Sequence, residues 1–186
     1  MDSSIIIIVL SLLFSAFFSG MEIAFVSANK IHIEIEKKQE GFLAKVLTLL
    51  TDKPSKFIAT MLIGNNIALV IYGLFMGDML MEWFQSLLPS NIQLVNLLLT
   101  DFSLLSQTII STLVILLTAE FLPKVFFQIY ANVLIKVFAV PAYFFYLLFS
   151  IISWFVIKVS DFILRIFFKT EAVSYTHLRA HETGRN

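Results

Sequence analysis

The chain contains no cysteine. That excludes disulfide staples, thiolate metal sites and thiol redox chemistry. Charge is scarce: 14% of the 186 residues are Asp, Glu, Lys or Arg, and the formal net charge is zero. A soluble domain of this length needs far more charged surface. Of three histidines, His177 and His181 lie close to the C-terminus, so the apolar body holds only His32. No serine–histidine arrangement, glycine-rich phosphate loop or paired carboxylates appear, which argues against an enzyme; the chain is not read as a nucleic-acid binder. Asp2 is the only charge before Glu22, and the first apolar run lacks the basic start and the brevity of a cleaved signal. What remains is 59% hydrophobic, with a mean hydropathy of +0.90. This composition predicts an all-α, multi-pass membrane protein embedded in the lipid bilayer.

Taken in order, residues 4–28 predict a first span. Residues 30–56 carry Lys30, Lys37, Lys38, Lys45, Lys53 and Lys56, interleaved with Glu34, Glu36 and Glu40, and predict an amphipathic surface helix ended by Lys53-Pro54. Residues 57–81 predict a second span. Residues 82–102 predict a loop without Lys or Arg, and 103–122 a third span ended by Pro123 and Lys124. Lysine placement puts the N-terminus outside and the first loop and the C-terminus in the cytosol; the expected location is the plasma membrane. Residues 137–157 are uncharged but flanked by Lys136 and Lys158. Both flanks favour the cytosol, so this piece predicts a non-crossing juxtamembrane belt helix, bent near Pro141; a fourth span is the alternative. Residues 171–186 change composition abruptly and read as a non-native adapter read-through. His177 and His181 are set aside with them, leaving residues 1–170 as the domain.

Three polar breaks interrupt the apolar runs. In the first span Ser11, Ser15, Ser19 and Glu22 recur at spacings that form one helical stripe. Glu22 at membrane depth needs a partner, a proton or water. The second span holds Gly64-Asn65-Asn66. The third holds Glu120 three residues before Pro123, whose missing N–H leaves the Ala119 carbonyl without its helical donor. Ser19, with Gly20 permitting close backbone approach, plus Asn65, Asn66 and Glu120 make an all-oxygen donor set suited to a hard cation. Blander readings stand beside this one. Ser11 and Ser15 are more simply bonded back to their own helix. The asparagines suit interhelical hydrogen bonds, Glu120 suits an ion pair with Lys124, and Glu22 suits snorkelling or protonation. Gly73 and Gly77 weakly suggest a packing or dimer face. The phenylalanine pairs 126–127 and 144–145 suggest lipid contact.

Residues 18–24 (Phe-Ser-Gly-Met-Glu-Ile-Ala), Ile63-Gly64-Asn65-Asn66 and Glu120-Phe121-Leu122-Pro123-Lys124 together resemble the three signatures of the cyclin-M/CorC transmembrane domain. These are magnesium transporters, some with haemolysin-like descriptions. The resemblance implies a homodimer of three-span chains with a juxtamembrane belt. It also implies a dehydrated Mg²⁺ held by Ser19, Asn65, Asn66 and Glu120, with Glu22, Ser15, Gly20 and Pro123 in support, and export coupled to Na⁺. Family members often carry another asparagine just after the pair, where this chain has Ala68 and Leu69. The family usually continues into a cytosolic cystathionine-beta-synthase-type domain pair that binds nucleotide, so ATP enters only through those domains, which these residues do not include. A membrane anchor and dimerisation module for cytosolic sensing domains is the alternative function.

Overall fold

A computed structural model describes residues 2–168; the tail from 171 onward lies outside the described residues. Every regular element among them is helical. The first span is α1 (Asp2–Ser27). Asn29 ends the following turn: its side chain accepts from the Ile31 and His32 amides and so caps α2 (Lys30–Lys37). Gly41, at φ 136°, then turns the chain into α3 (Phe42–Asp52) in a conformation that penalises a Cβ. The predicted surface helix is therefore two helices.

Pro54 opens α4 (Pro54–Leu87) at a first-turn position, where its absent N–H costs nothing. At 34 residues this helix is about 51 Å long, well beyond the roughly 30 Å hydrocarbon core. It thus absorbs the first residues of the predicted 82–102 loop, and α5 (Gln93–Leu99) occupies another part of it. The third span is composite: α6 (Ser103–Ile115), a π-helical turn (Leu116–Phe121) and α7 (Leu122–Ile129). It runs past Pro123 instead of ending there. After it come α8 (Ala131–Val137), α9 (Ala139–Leu148) and α10 (Ser150–Phe168).

Among the described residues three helices are long and apolar enough to cross a membrane, α1, α4 and the composite 103–129, and the bent pair α8–α9 makes a fourth only if it is one span. This is an all-α, multi-pass membrane protein. The predicted bend is present, with α8 and α9 meeting at 62°. It falls at Phe138, three residues before Pro141, because proline cannot donate to the Val137 carbonyl one turn earlier. Pro141 itself sits harmlessly in the first turn of α9.

Two apolar clusters pack the molecule, both against α1. One joins Phe18, Met21 and Ala24 of α1 to Phe57 and Met61 of α4, to α3, and to Phe127, Ile135 and Ala142 from α7, α8 and α9. The other joins Ile8 of α1 to Tyr72, Met76, Leu80 and Phe84 of α4. The phenylalanine pairs split between roles. Phe127 and Phe145 pack inside, Phe127 stacked on Phe138 at 5.5 Å and Phe145 edge-on to Phe18 at 4.8 Å. Phe126 and Phe144 stay exposed, as the lipid-contact expectation has it for those two alone.

Candidate cation site

Ser11 and Ser15 of α1 and the Asn65–Asn66 pair of α4 lie between the two apolar clusters along their helices. Ser15 is close to the midpoint of α1, and Ser11, Ser15 and Ser19 are all buried. Ser15 does not bond back to its own helix. Its Oγ donates to Asn65 Oδ1 of α4 at 2.6 Å, in a buried interhelical bond. A carbonyl already engaged in the helix is a poorer acceptor than a free amide oxygen facing the hydroxyl. That amide oxygen keeps a second lone pair.

Ser19 lies one turn further along and is completely buried. Its Oγ is the one buried side-chain polar atom without a hydrogen-bond partner among the described residues. Such an atom carries an uncompensated desolvation penalty of about 1–3 kcal/mol. Small residues set the helix spacing around it. A Cβ on Gly64 would come within 2.5 Å of the Phe18 ring, and one on Gly20 within 2.5 Å of the Phe127 ring. Having no side chain at these two positions lets Phe18 close over α4 and Phe127 close over α1.

Glu120 occupies the π turn, which packs against α1 beside α7. The Leu122 amide reaches back to the Leu117 carbonyl, five residues away. One residue more is thus accommodated in that turn than in an α-helix. Ala119 is fully buried, while the Glu120 side chain is 30% exposed and meets Lys124 Nζ at 3.4 Å. The ion pair of the bland reading is formed.

The structure thus brings Ser15, Ser19 and Asn65 into one buried seam. Asn66 is exposed on the same turn of α4, and Glu22 and Pro123 are partly buried. Gly73 faces open space, whereas Gly77 is buried with the Gln107 side chain of α6 against it. No group of three or more His, Asp or Glu side chains gathers among the described residues. A cation site here would draw on at most two carboxylates and otherwise on neutral oxygens.

The profile of the cyclin M transmembrane N-terminal domain matches residues 5–182. The chain belongs to that family. The match covers all three polar breaks and runs on into the C-terminal tail. Comparison with curated proteins returned no match. Within a cyclin M domain the seam has clear sequence origins: the serine stripe and the Gly-Asn-Asn corner are legible in the residues. The Phe18–Gly64 and Phe127–Gly20 contacts are not, because glycine and phenylalanine are both common in membrane helices. The π turn had one signal, a proline three residues after a carboxylate inside an apolar run.

Proposed function

We propose that this chain carries a divalent cation, Mg²⁺, across the plasma membrane, with export driven by Na⁺ and the working unit a homodimer. The observation that supports this most directly is the buried, unpartnered Ser19 hydroxyl beside the Ser15–Asn65 bond. Membership of the cyclin M family adds to it. An orphan oxygen at membrane depth lacks water to satisfy it, and an ion removes that deficit. Ser19, Asn65, Asn66 and Glu120 are the proposed ligands, with Ser15, Gly20, Glu22 and Pro123 in support. Mg²⁺ sheds its water reluctantly, so several oxygens have to replace the lost shell. In the described arrangement Lys124 occupies Glu120. Arrival of the cation displaces Lys124 and gives the carboxylate to the ion, and rocking of the helices releases it on the other side.

A second reading rests on the same residues. Asn65 already accepts from Ser15 and Glu120 already faces Lys124, which is what a membrane anchor and dimerisation module would also show. Flux separates the two. The protein reconstituted in liposomes moves Mg²⁺, and Glu120→Gln inserts normally but loses that movement. An unchanged Mg²⁺ flux in Glu120→Gln defeats the site, and no flux in the unaltered chain favours the anchor.

A further inference from the structure

A cavity of about 570 Å³ opens where the start of α4 meets the start of α10. Lys53, Lys56 and Lys158 line it together with Ser150, Ile151 and Trp154, and among the described residues no carboxylate does. Asp52 precedes Lys53 and Asp161 lies one turn beyond Lys158, yet neither reaches the lining.

Lys56 is the informative residue. It is partly buried, and its described partners are neutral: the Ser150 hydroxyl and the face of Tyr146, 4.4 Å from Nζ. An ammonium has three donors, so with one on Ser150 and one facing Tyr146 a third remains for something else. Lys158 lies 5.8 Å from the Trp154 ring centre on the opposite wall. The first turn of α4 holds Lys56 and no acidic residue, so the positive end of the helix adds to the positive side chains. Three cations line one cavity with no opposite charge among the described residues of its lining. An anion resolves that.

Position narrows the anion. The cavity sits at the first residues of a membrane span, and the end of a span is where lipid headgroups are met. Ile151 and Trp154 on its flank are 82% and 59% exposed, and tryptophan favours that interface. A phosphate there has an apolar wall beside it for acyl chains. We propose that this cavity holds the phosphate headgroup of an anionic phospholipid, gripped by Lys53, Lys56 and Lys158, with the chains lying along the Ile151–Trp154 face of α10.

The site is independent of cation transport and is tested without Mg²⁺. The full chain carrying Trp83→Phe keeps Trp154 as its only tryptophan. Brominated phosphatidylglycerol or brominated phosphatidylcholine is titrated into detergent micelles and Trp154 fluorescence is read. Phosphatidylglycerol quenches at a several-fold lower mole fraction. Lys158→Gln weakens that preference about five-fold, and adding Lys56→Gln abolishes it. Lys45→Gln, exposed on α3 outside the cavity, leaves it intact. Equal quenching by the two lipids overturns the proposal, as does an equal loss in Lys45→Gln, which would mean diffuse surface charge. Displacement of brominated phosphatidylglycerol by millimolar inorganic phosphate overturns the lipid assignment in favour of a free phosphate ion.

Discussion

At the residue scale, Ser15 and Ser19 have the same side chain on the same helix face but different circumstances. Ser15 has a partner across the interface at 2.6 Å, and Ser19 has none. An interhelical bond inside a membrane is worth about 0.6 kcal/mol on average, less than the roughly 1–3 kcal/mol that an orphan buried polar atom costs. The seam therefore leaves the chain with a net unsatisfied polar cost, which the proposed cation would relieve. This sets up an asymmetric expectation for Ser19→Ala. Without divalent cation the variant melts at the same temperature or a few degrees higher, because the orphan hydroxyl is gone. With Mg²⁺ it loses the stabilisation that the proposed site would give the unaltered chain, about 2.7 kcal/mol when free Mg²⁺ is a hundredfold above its dissociation constant. Paired thermal melts with and without Mg²⁺ check this, and a Ser19→Ala protein that keeps the full Mg²⁺ shift rules the hydroxyl out as a ligand. The serine stripe was legible in the sequence because period 3.6 places a residue on a face. Which serine would find a partner was not, since that depends on where Asn65 stands across the interface.

At the element scale, the third span shows what proline does when the chain has room to adjust. The sequence expectation ended the helix at Pro123, on the ground that a proline cannot donate to a carbonyl one turn back. The chain instead widens to a π turn just before it, with Leu122 bonding five residues back, and the helix continues to Ile129. Apolar periodicity reveals that a segment is helical and which side is greasy. It does not reveal an extra residue in one turn, so this register change stayed hidden while the span itself was plain. The bend expected near Pro141 is present at Phe138, because the deprived carbonyl, not the proline, marks where α8 stops. A π turn holds an extra residue, so it rotates α6 relative to α7 by about a quarter turn or somewhat more. Glu120 lies in that turn, so its direction depends on the bulge. Restoring an amide with Pro123→Ala permits ordinary α register. The expected result is a helix at least as stable and a Mg²⁺ titration, read by thermal shift, displaced at least ten-fold to higher concentration. An unshifted titration would show that the bulge does not aim the carboxylate.

At the scale of the whole molecule, four contacts bear on whether residues 131–168 cross the membrane. The Asn29 amide donates to Asn132 Oδ1 at 2.8 Å, and Lys136 Nζ meets Glu36 at 2.8 Å. These tie α8 to the end of α1 and to α2. At the far end of the segment, Lys56 bonds Ser150, and the Thr60 and Ser153 hydroxyls meet at 2.9 Å. These tie the start of α10 to the start of α4. Only α2 and α3 separate the end of α1 from the start of α4, so both sets of contacts lie at one face of the membrane. The segment between them leaves that face and returns to it. Lengths agree: α8 and α9 bent at 62° reach about 22 Å, short of the hydrocarbon core. The 19-residue α10 could reach across, but Lys158 falls at its middle, where a charge costs about 2.5–3.5 kcal/mol or more. The absence of cysteine makes the test direct, since every introduced thiol is the only one. Gln39, Asn91, Gln128 and Ser160 are exposed positions. Changed singly to cysteine in intact cells, Asn91 reacts with an impermeant maleimide from outside, whereas Gln39, Gln128 and Ser160 react only after the membrane is opened. Labelling of Ser160→Cys from outside, with Gln128→Cys still protected, would mean that the bent belt is a fourth crossing and that the contacts at Thr60 and Lys56 do not hold in the bilayer.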